Sequence, residues 1–401
     1  MAGAPPLAGV RVVDLTHDWA GPHATRLLAD FGAEVIRVEH VRRLDLMRLA
    51  RTDDRAYDRH PRWLQLNRNK RSLTLDLGTP DGAAIFRDLV RVSDVVVESS
   101  RPGVLDRLGL GYPALSAIRP DIIVVSMSAF GQTGPEAGYA GYGGCLEAVS
   151  GAQGLTAYEA GGRPMRVREM DVINGLAGAC AIMTALEHRR QTGVGQRVDC
   201  SQLETTTGGL IGEHLLEYVM NGTQQLPAGN RHPWFAPQGC YRCRGDDAWV
   251  VVTIRSDEEW VRLCEVIDRK DLIPVGATRE ERRRRHAELD RAIEAWTEGR
   301  SPREAMAALQ ERGIAAGAVL DVAEIAADPH LARRGYFQRA ADGRRFPGLP
   351  FRLSDGVGAI ARPGPALGEA NEDVICGLLG RPRGDVVPVN EDEIGTAFDP
   401  E

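Results

Sequence analysis

The first forty residues constrain the fold more than any other part of the chain. An apolar run over 10–15 is followed by a turn at Gly21-Pro22, a helical pattern and a second apolar run over 34–39. Strand, turn, helix and strand in this order form the βαβ unit that opens a nucleotide-binding α/β sheet. The segment lacks the Gly-x-Gly-x-x-Gly pattern that seats a dinucleotide pyrophosphate, so NAD is not the predicted ligand.

Further short apolar runs alternate with helical patterns through the first half of the chain. Strands are predicted over 72–77, 94–98 and 121–126, and Thr79 followed by Pro80 predicts the start of a helix. Strands separated by helices form parallel sheets with both faces covered. The predicted fold class is therefore α/β, with a Rossmann-like parallel sheet in a large domain and ligands bound at the carboxyl ends of its strands.

The pattern changes in the middle of the chain and again near residue 333. Gly, Pro and polar residues over 221–236 indicate a linker, and a hairpin followed by charged helices predicts a smaller α+β domain. Pro/Gly-rich strands and a last helix near 372–379 indicate a return to the first domain. We therefore predict a large domain over 1–222, a small domain with its linker over 223–332, and a return segment over 333–401.

Charge and cysteine usage exclude several classes of protein. The net charge of −7 argues against nucleic-acid binding, which needs a clustered positive field. The amino terminus has no basic segment followed by an apolar core, so no secretory signal is predicted. Seven scattered cysteines suit a reducing cytoplasm. Cys240 and Cys243 form a single Cys-x-x-Cys without a second ligand pair, so packing is favoured over zinc and no metal site is predicted.

Asp171 precedes a helical stretch with an unusual composition. Residues 172–186 contain no charged side chain, and Gly175 and Gly178 would allow a close backbone approach. The stretch is too short for a membrane span, so a buried central helix is predicted. A carboxylate at a helix start is favoured by the dipole by roughly 0.3–1 kcal/mol, which predicts an ionised Asp171. The alternative interpretation is that Asp171 only caps the helix.

Six segments together resemble the family III CoA-transferases over nearly the whole chain. The segments are Asp14-Leu-Thr-His17 with Ala20-Gly-Pro22 and Gly32-Ala33, Asn69-Lys-Arg-Ser72 with Leu75-Asp-Leu77, Val97–Gly109, Ser128–Pro135, Asp171 through Asp199, and Ala366-Leu-Gly-Glu369. Each motif alone is weak, but their order along the chain is specific. The resemblance implies a CoA-transferase of the EC 2.8.3 type, with coenzyme A and acyl-CoA as substrates and no prosthetic group.

The resemblance also implies roles for individual residues and for the assembly. Asp171 matches the catalytic aspartate, which would form an aspartyl anhydride and then an aspartyl-CoA thioester. The implied CoA-binding residues are Trp19, Ala20, His40, Leu75, Ser99, Ser100, Arg101, Arg107 and Tyr142. Arg107 is the clearest phosphate partner, because a guanidinium fork suits phosphate oxygens. Family members form homodimers of interlocked rings, which implies the same assembly here, with no nucleic-acid or membrane partner.

This chain departs from the formyl-CoA transferases at several of those positions. They have glutamine at the position of Trp19, arginine at His40 and asparagine at Ser99, so the contacts to CoA must differ. Arg42, Arg43 or Arg101 could supply the missing positive charge. On the acyl side, Arg231 or His232 could bind a second carboxylate, and packing is an equal alternative for both.

Two other functions are open at this stage. The 2-methylacyl-CoA racemases share the fold and use a histidine where this chain has Tyr142, and a tyrosine is a poor base near pH 7. A non-catalytic CoA-binding protein is possible if Asp171 is structural. The identity of the donor and acceptor acids is not predicted.

Overall fold

The computed structural model describes residues 4–48, 56–354 and 358–394. Its strands are β1 Arg11–Leu15, β2 Glu34–Glu39, β3 Arg71–Thr74, β4 Val95–Glu98, β5 Ile123–Ser126, β6 Arg197–Asp199, β7 Gln238–Arg242, β8 Trp249–Thr253, β9 Ala315–Ala318, β10 Phe337–Arg339 and β11 Arg345–Pro347. Its helices are α1 Ala20–Asp30, α2 Pro61–Leu66, α3 Pro80–Arg91, α4 Val104–Arg107, α5 Tyr112–Ile118, α6 Gly143–Val149, α7 Met170–Thr192, α8 Gln202–Asn221, α9 Asp257–Val266, α10 Arg279–Arg284, α11 His286–Thr297, α12 Pro302–Gln310, α13 Val322–Ala326 and α14 Pro329–Arg333. A π-helical segment spans Asp373–Leu378.

The chain divides into two compact units. The first unit contains residues 1–153, 166–223 and 333–401, and the second contains 154–165 and 224–332. This division differs from the predicted domains in the segment 154–165, which groups with the second unit. In that unit the hydroxyl of Thr156 accepts a hydrogen bond from the N–H of Met165, and the N–H of Gly229 donates to the carbonyl of Ala157. The segment 154–165 contacts residues about 70 positions later in the chain, so no local sequence pattern indicates this grouping.

The first unit is built on a six-stranded parallel sheet of order β3-β2-β1-β4-β5-β6. This is the strand order of dinucleotide-binding folds, and it reverses direction between β1 and β4. The prediction of an α/β fold with a parallel sheet is confirmed. Alternate residues of each strand point to opposite faces, so Val13 and Val96 pack under α3, whereas Val12 and Val95 pack under α1 and α7.

The return segment completes the edge of this sheet beside β3. The N–H of Ala370 donates to the carbonyl of Ser72, and the side-chain oxygen of Asn371 accepts from the N–H of Thr74. The predicted motif at 366–369 lies here, because the N–H of Gly368 donates to the hydroxyl of Ser72. The carboxyl-terminal residues therefore cover an otherwise open strand.

Helix α7 is only partly buried. It spans 23 residues, which by length and composition could cross a membrane. One side packs closely on α1, where a Cβ atom at Gly175 would lie 2.5 Å from the ring of His23 and 2.9 Å from the carbonyl of Ala20. The other side leaves Leu176 and Met183 exposed at 51% and 42%, so the prediction of a fully buried helix was wrong.

The second unit is α+β. Strands β7, β8 and β9 form an antiparallel sheet in that order. Its apolar face packs on α9, α11 and α12 around Trp260, Leu289 and Leu309. Cys243 is buried in this core and Cys240 is half-buried on β7, and both are free thiols.

Candidate active site

The carboxyl ends of β1 and β4 meet at the point where the strand order reverses. Here the N–H of His17 donates to the hydroxyl of Ser99 at 2.9 Å. Loops that follow two strands diverging to opposite sides of a sheet leave a crevice, which is where α/β folds bind ligands. The predicted ligand-binding edge is therefore formed by the β1 and β4 loops.

A buried group of charges, the strand-end charge network, lies below this crevice. It consists of Asp14, Arg37, Asp45 and Lys70, all with 4% exposure or less. The ammonium of Lys70 donates to Asp14 at 2.9 Å, and Arg37 pairs with both aspartates. Burial alone would raise the pKa of Asp14, but Lys70 and Arg37 hold that pKa well below its usual range. Each carboxylate in this network has a cationic partner.

The network anchors the loop between β1 and α1. The carboxylate of Asp45 accepts the N–H of Asp18 at 3.1 Å. Asp18 has a φ of 65°, a left-handed conformation that aspartate tolerates better than most residues. Its half-buried side chain accepts no hydrogen bond from any described residue. Burial, reinforced by the charges of Asp45 and Asp171, raises the pKa of Asp18 to about 6.

Asp171 is the second residue of α7, one turn before Gly175. Residue Glu169 occupies the position before the helix and makes no side-chain capping bond, so Asp171 is not the helix cap. Its half-buried carboxylate also accepts no hydrogen bond from the described part of the chain. Burial and the charge of Glu147 raise the pKa of Asp171 above its ordinary value, although Arg166 opposes this. The shift is opposite to the one that the helix start alone predicts.

A fully buried carboxylate, that of Glu147, lies near Asp171. Glu147, on α6, is fully buried and accepts the N–H of Arg168 at 2.7 Å and the Nε of Arg166 at 3.3 Å. Half of the Arg166 side chain is exposed, and within the described structure only its Nε is hydrogen-bonded. The remaining guanidinium donors are therefore available beside Asp171.

Two glycines at the start of α6 allow this approach. A Cβ atom at Gly143 would lie 2.9 Å from Oδ2 of Asp171, and one at Gly144 would lie 3.2 Å from the guanidinium carbon of Arg166. Both separations are too short for a side chain without movement of the neighbour. On the side of α6, therefore, the main chain of Gly143 borders the carboxylate of Asp171.

The predicted CoA-binding residues fall into a buried group and an exposed group. Ala20 and Leu75 are buried, and Trp19 packs against the cluster that contains Trp63. His40 follows β2 and faces the carboxylate of Asp76 at 3.6 Å. These residues lie at the carboxyl ends of β1, β2 and β3, so their positions along the sheet edge agree with the predicted binding side.

The exposed group follows β4 and precedes α6. The N–H of Ser100 donates to Glu98 at 2.6 Å, which shapes the turn that presents Arg101. Arg101 and Arg107 are exposed, and neither forms an ion pair within the described residues. Tyr142 is 64% exposed directly before α6. Free guanidinium groups at a sheet edge are suited to phosphate oxygens.

The two residues proposed for a second carboxylate have local partners in the second unit. Arg231 lies 3.5 Å from Asp290, and Nδ1 of His232 accepts the N–H of Trp234 at 3.0 Å. The packing alternative explains both contacts. Within the described ranges, no group of three or more His, Cys, Asp or Glu side chains is arranged to hold a metal ion.

Comparisons with known proteins agree with this architecture. Residues 7–371 match CoA-transferase family III. The chain belongs to this family. It is 35% identical to the succinyl-CoA–D-citramalate CoA-transferase of Chloroflexus aurantiacus over 94% of each chain, and 32% identical to the succinate–glutarate CoA-transferase of Agrobacterium fabrum over 93% of this chain and 96% of that one. A CaiB/BaiF family protein from Brucella suis superposes with a TM-score of 0.86 at 30% identity, covering 94% of this chain and all of the other.

This protein is therefore an enzyme, a CoA-transferase that transfers CoA from an acyl-CoA to a free carboxylic acid. The predicted family and activity are confirmed, and the racemase and non-catalytic alternatives are set aside. Asp18, Glu147 and Arg166 were not predicted from the sequence as site residues. The only sequence feature that could have pointed to Asp18 and Glu147 is that each is a charged residue among small or apolar ones. Their proximity to Asp171 comes from the packing of α1 and α6 around the start of α7.

Proposed function

We propose that Asp171 is the nucleophile of a CoA exchange between succinyl-CoA and a second dicarboxylic acid. The observation that carries this proposal is the half-buried carboxylate of Asp171, which has no hydrogen-bond donor within the described residues and is bordered by glycine main chain. A carboxylate without a partner is free to attack, and burial together with the charge of Glu147 raises its pKa and so increases its basicity.

The exchange conserves the thioester through four substitutions. An oxygen of Asp171 attacks the thioester carbon, and the C–S bond breaks. CoA leaves as a thiolate, and Asp171 and the donor acyl group are joined in a mixed anhydride. The thiolate attacks the Asp171 carbonyl carbon, which releases the donor acid and leaves an aspartyl-CoA thioester. The acceptor carboxylate then attacks this thioester, and the released thiolate attacks the acceptor side of the new anhydride. Asp171 is regenerated, and water has to be excluded throughout.

CoA would lie along the carboxyl edge of the sheet. Arg101 and Arg107 are the proposed phosphate ligands because both guanidinium groups are exposed and lack an ion pair within the described residues. Tyr142, Ser99 and His40 border the same edge. The chain has no Arg at position 40, and the exposed Arg42 and Arg43 in the loop that follows offer the compensating charge.

The proposed acid substrates are dicarboxylates of four or five carbons. The named relatives act on succinate, citramalate and glutarate. Here the free donors of Arg166 lie beside Asp171, where a guanidinium can bind the far carboxylate of such an acid. Assays with succinyl-CoA as donor should give transfer to glutarate, malate or citramalate, and much less to acetate. Equal rates with acetate would contradict this choice of substrate.

The deciding experiment removes the nucleophile. We expect Asp171→Asn and Asp171→Ala to lose at least about 10³-fold in transfer rate with an unchanged circular dichroism spectrum. Wild-type protein mixed with acyl-CoA and hydroxylamine should carry a hydroxamate at Asp171, located by peptide mass spectrometry. Asp246→Asn, in the exposed turn of the second unit, is the matched control. Full transfer by Asp171→Ala would refute the mechanism.

We further propose a homodimer, interlocked as in other family members. An apolar stripe on α7, with Val172, Leu176 and Met183 exposed at 39%, 51% and 42%, supports a protein partner for this helix rather than a membrane. On α8, Leu216 and Val219 are also exposed. Analytical ultracentrifugation should give a dimer that persists at nanomolar concentration, and a reversible monomer would contradict the interlocked assembly.

A cytoplasmic location, small-molecule partners and the absence of a prosthetic group are also proposed. The seven cysteines are free thiols, which supports a cytoplasmic location. The negative net charge supports small-molecule partners and no nucleic acid. The proposed chemistry needs no prosthetic group and no metal, because a carboxylate and a thiolate perform each substitution.

A further inference from the structure

Asp18 shares with Asp171 two properties that neither carboxylate of the strand-end charge network has. Both side chains are half-buried, and neither accepts a hydrogen bond from a described residue, whereas Asp14 and Asp45 are fully buried and paired. Unpartnered carboxylates that are removed from solvent are unfavourable unless they have a function. Asp18 is not one of the residues on which the family resemblance rests.

The packing of α1 on α7 brings the two carboxylates to the same place. Ala20, the first residue of α1, contacts Gly175 through its carbonyl, and a Cβ atom at Gly175 would lie only 2.9 Å from that oxygen. Asp18 is two residues before Ala20, and Asp171 is one helical turn before Gly175. The close helix contact therefore places Asp18 and Asp171 at the same end of the helix pair, within electrostatic reach of each other.

The main chain of Asp18 is held in position by the buried network. Its left-handed φ of 65° and the hydrogen bond from its N–H to Asp45 fix the turn, and Asp45 is in turn paired with Arg37. A rigid support of this kind gives a side chain a defined direction without any hydrogen bond to the side chain itself.

We propose that Asp18 is a second substrate-contacting acid of the transferase, whose protonated carboxyl donates a hydrogen bond to the acyl oxygen at Asp171. The proton stays on Asp18, and no bond in the exchange is made or broken there. When Asp18 ionises, the donor is lost and a second negative charge opposes the incoming acceptor carboxylate. This inference rests on the proposed role of Asp171 as nucleophile.

The charges around Asp18 predict the pH at which this contact is lost. Asp45, from the loop after β2, and Asp171, from α7, disfavour its ionisation, whereas Arg37, from β2, and Arg43, from the same loop, favour it. Burial makes the largest contribution, and together these influences raise the pKa of Asp18 to about 6. Because Asp18 and Asp171 interact, their titrations are coupled.

The test is the pH profile of kcat/KM for the acceptor, with succinyl-CoA as donor and glutarate as acceptor, between pH 4.5 and 8. Wild-type protein should lose activity on the alkaline side as Asp18 ionises, approaching a tenfold loss per pH unit. Asp18→Asn keeps a hydrogen-bond donor that does not titrate, so this alkaline loss should disappear. Asp18→Ala should be slow at every pH, and Asp246→Asn should follow the wild-type profile.

Each outcome separates the two proposals. A wild-type profile that is flat from pH 5 to 8 overturns the inference without any variant. An alkaline loss that persists in Asp18→Asn overturns it as well. Full activity in Asp171→Asn instead overturns the proposed nucleophile, whatever the profile of Asp18→Asn. If Asp18→Asn fails to fold, a carbon-13 titration of the aspartate carboxyls in wild-type protein should still contain one group that titrates near pH 6, and its absence refutes the proposal.

Discussion

The strand-end charge network and the carboxylate pair Asp18–Asp171 are close in the fold but opposite in character. Asp14 and Asp45 are fully buried and each is paired with a cation, so their ionised forms are favoured. Asp18 and Asp171 are half-buried without hydrogen-bond donors in the described structure, so their ionised forms are disfavoured. The difference shows that burial alone does not decide the direction in which the pKa of a carboxylate shifts. The absence of a partner is the more informative property.

Removal of a paired carboxylate should have the largest effect on stability. Asp14→Asn should destabilise the protein by about 3–5 kcal/mol, because it leaves the buried charge of Lys70 without its carboxylate partner and leaves Arg37 with Asp45 alone. Urea unfolding monitored by circular dichroism measures the loss. Asp246→Asn, an exposed aspartate, serves as the control. A loss below about 1 kcal/mol would mean that the network contributes no more than a surface ion pair does.

A smaller effect is expected where glycine borders the unpaired carboxylate. Gly143→Ala places a methyl group 2.9 Å from Oδ2 of Asp171, so that carboxylate should shift and kcat should fall about 10- to 100-fold. Stability should change little. Gly138→Ala, where nothing lies within 4 Å of the added methyl group, is the matched control. Unchanged kcat in Gly143→Ala would show that the position of the carboxylate is not critical.

Substitution of Asp18 should raise the stability of the protein, whereas substitution of Asp14 should lower it. Its pKa of about 6 in the folded state exceeds the ordinary aspartate value of 3.8, so the folded state binds more protons between these values and stability falls as pH rises through the window. Asp18→Asn removes this cost and should stabilise the protein by about 1 kcal/mol at pH 8, after allowance for solvent screening. Thermal unfolding at pH 8 and pH 4 measures the gain, which should be much smaller at pH 4. Destabilisation at pH 8 would contradict the raised pKa.

The smallest predicted effect concerns the charge behind Asp171. Glu147→Gln removes a negative charge that raises the pKa of Asp171, so the acid side of the kcat/KM profile should move to lower pH by less than about one unit. The glutamine retains an acceptor for the N–H of Arg168, which limits structural damage. A shift to higher pH would mean that Glu147 holds Arg166 in place, so that the substitution also removes the positive charge of Arg166 from beside Asp171.

Local patterns were sufficient for the sheet. The apolar runs at β1, β4 and β5 were readable because each depends on neighbouring residues in the chain, whereas the role of Asp171 came from the family resemblance and stays a prediction. The grouping of 154–165 with the second unit, and the pairing of β9 with β8, were not readable because both depend on contacts between distant segments. The same reason explains why Asp18 was not singled out.

The raised pKa of Asp171 was mispredicted for a related reason. A helix start lowers the pKa of a carboxylate, and that argument needs only the sequence. Burial and Glu147 act in the other direction, and Glu147 lies 24 positions earlier on α6, so its effect required the folded structure. Electrostatic predictions from sequence therefore hold only where the neighbouring charges are local.

The contact of α1 with α7 at Gly175 has a consequence for how this enzyme can diverge. A Cβ atom at Gly178 would likewise lie 3.3 Å from that of Ala24, so small residues let the two helices approach closely over consecutive turns. The spacing of Asp18 and Asp171 therefore depends on this close helix contact. Substitutions elsewhere around the site can change which acid is accepted while the two carboxylates keep their spacing, whereas a substitution at either glycine would change that spacing for every substrate.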